Sequence, residues 1–321
     1  RKMAEKYTAW EDCRALGTGT FGVVRAAFRK SDGIEVALKR FKRGGDYSNV
    51  GVSYSALREI RVMKEISHPN IVQLFDVFIN DGFLTIVLEL LSSTDLEGVI
   101  RKAREGTIVL KPNDIKSYFY MLLQGLSFLH SNYIIHRDLK PGNIFLTNHG
   151  ILKIGDFGFA RTDITNPLSK LSPNACTQWY RSPELLYGAI NYNFKMDIWS
   201  CGCIFAELFL LYPIFRGDID LKEGLNEIDQ LSKIFMYLGT PTDVNWPKHN
   251  ELLRYVEFQI TSKAPFLLNT ETTCADELAC ILLDQLLTLN PNDRISSDDA
   301  LKSDYFNYEF DQMTPPEMLP R

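Results

Sequence analysis

His136-Arg137-Asp138-Leu139-Lys140-Pro141-Gly142-Asn143 and, thirteen residues past Asn143, Asp156-Phe157-Gly158 decide how this chain is read. They supply a carboxylate with a lysine two residues on, then an amide side chain, then a second carboxylate followed within two residues by glycine. That set suits phosphoryl transfer. Chemistry at a nucleotide γ-phosphate needs little covalent help from a protein, but it needs charge neutralised and a hydroxyl aimed in line. Asp138 is placed to accept the hydroxyl proton and Lys140 to steady the moving phosphate. Asn143 and Asp156 are candidate ligands for magnesium, an ion that favours hard oxygen donors. A turn-rich loop with scattered surface charge would not be expected to carry both motifs in this order and spacing.

The 321-residue chain is 45% hydrophobic and 23% charged, with a formal net charge of −5. That is enough chain for two lobes with separate cores. The acidic balance argues against tight, sequence-independent nucleic-acid binding, which needs clustered positive charge. The basic run Lys39-Arg40-Phe41-Lys42-Arg43 reads as a solvated strand end. Six cysteines, at 13, 176, 201, 203, 274 and 280, form no CxxC pair, which fits reduced thiols in the cytosol or nucleus. No run of about 18 apolar residues is present, so no membrane span is expected. The opening Arg1-Lys2-Met3-Ala4 lacks the apolar core of a signal peptide.

Alternation and turn residues predict strands at 23–28 and 34–39, joined by Ser31-Asp32-Gly33. Residues 44–53 read as a loop. Leu57, Ile60, Met63 and Ile66 are spaced for one face of a helix over 55–66. Strand-like runs follow at 71–78 and 83–90. Beyond residue 94 the periodicity is helical. Asp95 opens a short helix, and 114–131 carries an apolar stripe of Ile115, Tyr118, Phe119, Leu122, Leu126 and Leu129 after Pro112 and a cap at Asn113. Residues 197–211 read as a helix buried on most sides, and further helices are expected near 275–289 and 297–304. The three prolines within 315–320 predict an extended tail. The expected domains are an extension at 1–6, a small β-rich lobe at 7–91, a larger helical lobe at 92–307 and a Pro-rich tail at 308–321.

Gly17-Thr18-Gly19-Thr20-Phe21-Gly22-Val23-Val24 is a glycine-rich stretch whose backbone amides can approach phosphates closely. In a dinucleotide fold the glycines would open a helix. Here β-forming residues continue and Val36-Ala37-Leu38-Lys39 follows, which is unlike the dinucleotide pattern and resembles a glycine-rich lid between two strands, as protein kinases have. A lysine at the end of an apolar strand needs partners, and for Lys39 these are nucleotide phosphates and Glu59 on the predicted helix. Asp197, opening the apolar helix as Asp197-Ile198-Trp199-Ser200, reads as scaffold that caps amides or holds the catalytic loop.

In order, the glycine loop, Val-Ala-Leu-Lys, His-Arg-Asp-Leu-Lys-Pro-Gly-Asn, Asp-Phe-Gly and Ser182-Pro183-Glu184 resemble the signature set of eukaryotic protein kinases, from Tyr7 to about Tyr305. The resemblance implies an α+β, bilobal protein kinase fold: a small β-rich N-lobe with one regulatory helix, and a larger, mainly helical C-lobe. It also implies ATP and Mg2+ in the cleft between them. Leu16, Val24 and Ala37 would lie above the adenine and Phe145 below it. Gly17, Thr18, Gly19, Thr20, Gly22 and Lys39 would face the phosphates. Glu89 and Leu91 would bond the adenine edge from the hinge, and Asp95 would lie near the ribose. Arg294 is the implied buried partner of Glu184.

The segment Ser53-Tyr54-Ser55-Ala56-Leu57-Arg58-Glu59-Ile60 resembles the cyclin-contacting helix of cyclin-dependent kinases, in a form closest to the Cdk-activating type. Trp179-Tyr180-Arg181, Leu238-Gly239-Thr240-Pro241, Trp246-Pro247 and the tail Thr314-Pro315-Pro316-Glu317-Met318-Leu319-Pro320-Arg321 agree. This implies a cyclin-like subunit on the helix around 53–66, an assembly factor in addition, and protein substrates carrying Ser-Pro or Thr-Pro sites. It further implies nuclear or cytoplasmic residence, with neither nucleic acid nor membrane as a direct partner. In the absence of a cyclin, Glu59 is expected to be held poorly. Arg58, Arg137 and Arg161 would read a phosphate on the segment from Asp156 to Glu184. Ser172 falls at the family's phosphothreonine position or at a second, upstream Ser-Pro site. Thr177 and Arg181 would bind substrate.

The sequence departs from the family at several places. Leu88 stands where phenylalanine usually gates the pocket, Phe145 where leucine usually floors it, and Phe21 where the inhibitory tyrosine usually sits, leaving Thr20. Ala175-Cys176 replaces paired valines. Residues 221–227 look like an insertion. Another cyclin-dependent relative such as a cell-cycle-related kinase, and a pseudokinase scaffold, are the alternative readings.

Overall fold

Side-chain alternation builds the first lobe. In the computed structural model, which describes residues 6–18, 22–42, 54–91, 94–162, 178–190, 192–216, 227–262, 275–307 and 313–321, strands β1 (Arg14–Thr18), β2 (Gly22–Phe28) and β3 (Glu35–Phe41) precede helix α1 (Tyr54–Glu65), and β4 (Leu74–Asn80) and β5 (Phe83–Glu89) follow it. The strands form one antiparallel sheet in the order β1-β2-β3-β5-β4. Successive residues of a strand face opposite sides. Val36 and Leu38 therefore pack with Tyr7, Trp10 and Val87 on one face, while Ala37 and Lys39 turn to the other, where they line the interlobe cleft. Asp81 and Gly82 both take positive φ in the turn between β4 and β5, as a two-residue hairpin of this hand requires.

Two sequence expectations shift here. Residues 71–73, expected within a strand over 71–78, do not join β4. Ile71 bridges Ile154, and Val72 donates to the Ile154 carbonyl, tying the sheet to the second lobe. On α1, Ile60, Met63 and Ile66 are buried as expected, but Leu57 is 52% exposed because Ala56 takes the buried place one residue earlier.

The second lobe is helical. It comprises α2 (Leu96–Arg104), α3 (Pro112–Ser131), short strands β6 (Ile144–Leu146) and β7 (Leu152–Ile154), α4 (Pro183–Leu186), α5 (Lys195–Leu210), α6 (Glu227–Leu238), α7 (Glu277–Leu286), α8 (Ser297–Leu301) and α9 (Asp304–Asn307). Asp95 caps α2 as expected, accepting from the Gly98 amide at 2.8 Å. Asn113 does not cap α3. Pro112 is the first helical residue, as its fixed φ favours, and the carboxylate of Asp114 reaches back to the Lys111 amide at 3.0 Å. The six-residue stripe on α3 is fully buried. All of α5 from Met196 to Phe209 is buried, and a Cβ on Gly202 would lie 2.7 Å from Leu287, so glycine permits this close approach of α5 to the end of α7.

The tail also differs from expectation. It turns once at Pro316–Met318 and docks on α3, with Leu319 buried and Tyr118 donating to the Pro320 carbonyl.

Candidate active site

Lys39, Glu59 and Asp156 meet at the back of a cleft of about 520 Å³. Lys39 Nζ lies 2.7 Å from Glu59 Oε1 and 3.5 Å from Asp156 Oδ1. Burial pushes the Lys39 ammonium down, but the two carboxylates more than offset that, and its pKa is raised. The lysine is therefore a fixed cation. Glu59 is 2% exposed, and α1 packs on the turn Phe157–Phe159. In the structure the helix is in and the ion pair is made, whereas the sequence reading expected Glu59 to be held poorly in the absence of a cyclin. Withdrawing Glu59 would leave a buried charge without its partner, which is costly.

The catalytic loop is pinned from beneath. Asp197 at the start of α5 accepts from the amides of His136 and Arg137 at 2.8 and 2.9 Å and contacts His130 Nε2 at 3.2 Å. Burial alone would raise the Asp197 pKa; the hydrogen bond and charge of His130 and the Arg137 amide bring it below the ordinary value. These two amide bonds hold Arg137 at φ 72°, a left-handed conformation unusual for a side chain of that size. The His136 Nδ1 accepts from the Asp138 amide, which leaves Nε2 protonated to donate to the Gly155 carbonyl at 2.9 Å. Asn143 Nδ2 donates to Asp138 Oδ2 at 2.9 Å and to the Asp138 carbonyl at 2.7 Å. Lys140 Nζ stands 3.3 Å from the same Oδ2. The Gly155 amide donates to the Asn143 carbonyl, joining the catalytic loop to the segment that carries Asp156, itself left-handed at φ 60°.

Leu16, Gly17, Thr18, Gly22, Val24, Ala37, Glu89, Leu91, Asp95 and Phe145 all line the same cleft, with Asn143. Asp95 does so while spending one carboxylate oxygen on its helix cap. Met63, Val72 and Thr94 line it too and were missed. Val72 was hidden inside an apolar run read as strand. Gly155 was also missed, although its role is legible beside Phe145: a Cβ there would come within 2.8 Å of the Phe145 ring and 2.9 Å of Val72. The larger floor residue needs the smaller neighbour. Gly155→Ala is therefore expected to tilt Phe145 into the adenine space and raise KM for ATP roughly tenfold, by an overpacking cost of about 1–3 kcal/mol. Steady-state kinetics against ATP concentration checks this.

Burial first, then Arg161, lowers the Arg58 pKa, and burial with both other guanidinium groups lowers that of Arg137. The Nε of Arg137 is buried without a hydrogen-bond partner. Three guanidinium groups thus converge. Arg181 lies 4.0 Å from Glu227 at the start of α6. Gly19, Thr20, Ser172, Thr177 and the segment 221–226 lie outside the described residues. Glu184 and Arg294 form the implied pair, with Arg294 Nη1 donating to Glu184 Oε1 at 2.9 Å and Nη2 to Oε2 at 3.0 Å.

The protein kinase domain model matches residues 10–306. Cyclin-dependent kinase D-1 of Arabidopsis thaliana is 41% identical over 321 residues, covering 100% of this chain and 76% of the relative. Cyclin-dependent kinase 7 of Dictyostelium discoideum is 41% identical over 305 residues, 94% of this chain and 81% of the relative. The chain belongs to the protein kinase family, in its cyclin-dependent branch. It is a serine/threonine kinase, as its sequence implied. KIN28, a serine/threonine-protein kinase of Saccharomyces cerevisiae, is 38% identical over 94% of each chain. Among solved structures, the kinase superposes on a chain of the CAK complex from Chaetomium thermophilum bound to ATP-γ-S with a TM-score of 0.87 and 32% identity, covering 99% of this chain and 95% of that one. A chain of the yeast RNA Pol II CTD kinase CTDK-1 complex gives 0.78 and 30%, over 93% and 92%.

One buried acid of the kinase has a pH signature. Tyr180 donates to Glu207 Oε2 at 2.6 Å between the turn Gln178–Tyr180 and α5. Burial pushes Glu207 up to about 7, against that hydrogen bond and with the charge of Glu97. A carboxyl raised on folding stabilises the fold fully below its unfolded pKa, and that contribution is lost as pH rises through about 7. Glu207→Gln keeps an acceptor for Tyr180 without the charge. It is expected to stabilise the kinase by about 1–3 kcal/mol at pH 8 and by much less at pH 5, read from denaturant midpoints at both pH values.

Proposed function

We propose that this kinase is activated by a cyclin-like subunit and transfers the γ-phosphoryl group of ATP to serine or threonine followed by proline. Its proposed targets are the activation segments of other cyclin-dependent kinases and the RNA polymerase II tail, and it works in the nucleus, in cell cycle and transcription. The observation that carries the chemistry is the cleft where Lys39, Glu59, Asn143 and Asp156 converge, with Asp138 hydrogen-bonded to Asn143 and Lys140 beside Asp138. Among the described residues no helix is long and apolar enough to cross a membrane.

Asp138 Oδ accepts the proton of the substrate hydroxyl, and Lys140 beside it balances the negative charge of the transferring group. Lys39, held by Glu59, faces the nucleotide phosphates. Asn143 spends its amide nitrogen on Asp138, which leaves Oδ1, with the Asp156 carboxylate, as hard oxygen donors. That donor set fits Mg2+, which takes few protein ligands and fills its shell with phosphate oxygens and water. When bound it neutralises phosphate charge. Arg58, Arg137 and Arg161 would bind a phosphate on the activation segment, at Ser172 in this reading, and couple it to the loop of Asp138 and the helix of Glu59. Arg181 and Thr177 bind the substrate backbone and its proline.

Leu57, 52% exposed on α1 beside the buried Ile60, gives the cyclin an apolar anchor. Cyclin pull-down followed by kinase assay tests this. Leu57→Asp is expected to weaken cyclin activation at least tenfold with the melting temperature unchanged. A fully active kinase that binds no cyclin would sink the proposal.

A further inference from the structure

Four Ser-Pro or Thr-Pro pairs occur in the chain, at Ser172, Ser182, Thr240 and Thr314. Ser182 and Thr240 are buried, at 1% and 7% exposure. Thr314 is half-buried, next to an exposed Pro315, and its side chain is what ties the tail to α3. Thr314 Oγ1 donates to Asp114 Oδ1 at 2.6 Å. The Thr314 amide donates to the Asn113 carbonyl, and Ser117 Oγ donates to the Thr314 carbonyl at 2.8 Å. Downstream, the tail lies against the turn between β6 and β7 so closely that a Cβ on Gly150 would overlap the Pro316 carbonyl. Leu319 is buried at 3%.

We propose that Thr314 is a phosphorylation site, and that its modification by a second copy of this kinase releases the docked tail. The inference rests on the proline-directed reading above. The Thr314 hydroxyl oxygen bonds to the γ-phosphorus of ATP, the bond from that phosphorus to the bridging oxygen breaks, and ADP leaves with the electron pair. The hydroxyl proton passes to the Asp138 carboxylate of the modifying copy. The latch is held by a few hydrogen bonds and one leucine, so it opens locally at low cost and presents Thr314 to that copy.

The modified side chain cannot return to its place. A phosphate dianion there would face the buried carboxylate of Asp114, and like charges at that range repel. Asp114 cannot swing aside freely, because its second oxygen holds the Lys111 amide at the start of α3. That N-cap amide is therefore not open to the phosphate either. The hydroxyl donor that made the latch is gone, so Ser117, Tyr118 and the turn at Gly150 are uncovered.

Cyclin-activated kinase with Mg-ATP is incubated with the Asp138→Asn chain as recipient, beside a Ser-Pro peptide, and sites are read by mass spectrometry. A second sample carries phosphothreonine installed at 314 during synthesis. Hydrogen exchange is followed at the amides of Thr314, Met318 and Leu319, which donate to Asn113, Pro315 and Pro316 in the docked tail. The expected result is phosphate on Thr314 of the recipient and at least tenfold faster exchange at those amides in both samples, whereas a Thr314→Val recipient takes no phosphate at 314 and shows the same exchange before and after incubation. A modified peptide with an unmodified Thr314 overturns the site while leaving the proline-directed reading intact. An unmodified peptide tells against that reading instead. Installed phosphothreonine with unchanged exchange, the phosphate being held at the α3 N-terminus, overturns the release.

Discussion

Asp138→Asn is expected to cut kcat for peptide phosphorylation by roughly 10³-fold, the middle of the range for removing a positioned general base, with KM for peptide and ATP changed little. The isosteric amide can still accept from Asn143 Nδ2, which in the native chain holds Asp138 Oδ2 at 2.9 Å. The loop therefore keeps its shape: its main anchors are the Asp197 bonds to the His136 and Arg137 amides, which the substitution does not touch. What is lost is the carboxylate that takes the hydroxyl proton and the charge opposite Lys140, 3.3 Å away. Single-turnover kinetics separates this from a binding defect. A drop of less than tenfold in the chemical step would show that the proton goes elsewhere.

Arg294→Met is expected to destabilise the second lobe by about 3–5 kcal/mol, the cost of removing one partner of a buried ion pair. That corresponds to a fall in melting temperature on the order of 10 °C. Arg294 is 1% exposed. It serves Glu184 with two nitrogens and the carbonyls of Thr288, Lys195 and Leu289 with its remaining donors. Methionine fills much of the volume but leaves the Glu184 carboxylate uncompensated. Adding Glu184→Gln to Arg294→Met is expected to recover part of the loss. Equal stability of native and Arg294→Met chains in thermal melts would contradict the assignment of this pair as the tie between α4, the start of α5 and the end of α7.

The chemistry was legible because it lies in contiguous strings: His136 to Asn143 and Asp156 to Gly158 fix residue type, order and spacing, and the strands around Lys39 have clean alternation. Asp197 could be assigned because a charge at the head of an apolar helix needs a buried partner, and Arg294 because the resemblance to protein kinases implies it opposite Glu184. What failed depended on contacts between distant segments. Leu57 fits the helical stripe, yet Ala56 fills the buried place because of how α1 sits on the sheet and the Phe157–Phe159 turn. Asn113 has the chemistry of a cap, but Pro112 starts the helix one residue earlier and Asp114 takes the role. Gly155 has meaning only beside Phe145, ten residues away across a strand pair. The prolines of the tail forbid regular helix but say nothing of Asp114 and Ser117, some 200 residues upstream, which hold Thr314. The made Lys39–Glu59 pair likewise reflects how much of Glu59 is buried, which spacing cannot report.

The most direct measurement combines the kinase with Mg-ATP and a peptide carrying Ser-Pro and Ser-Ala sites, with and without a bound cyclin, and maps phosphate by mass spectrometry. Phosphate on Ser-Pro alone, strongly dependent on cyclin, is the result expected. Transfer that ignores the proline, full activity of the isolated chain, or no transfer from the cyclin-bound chain would contradict the account.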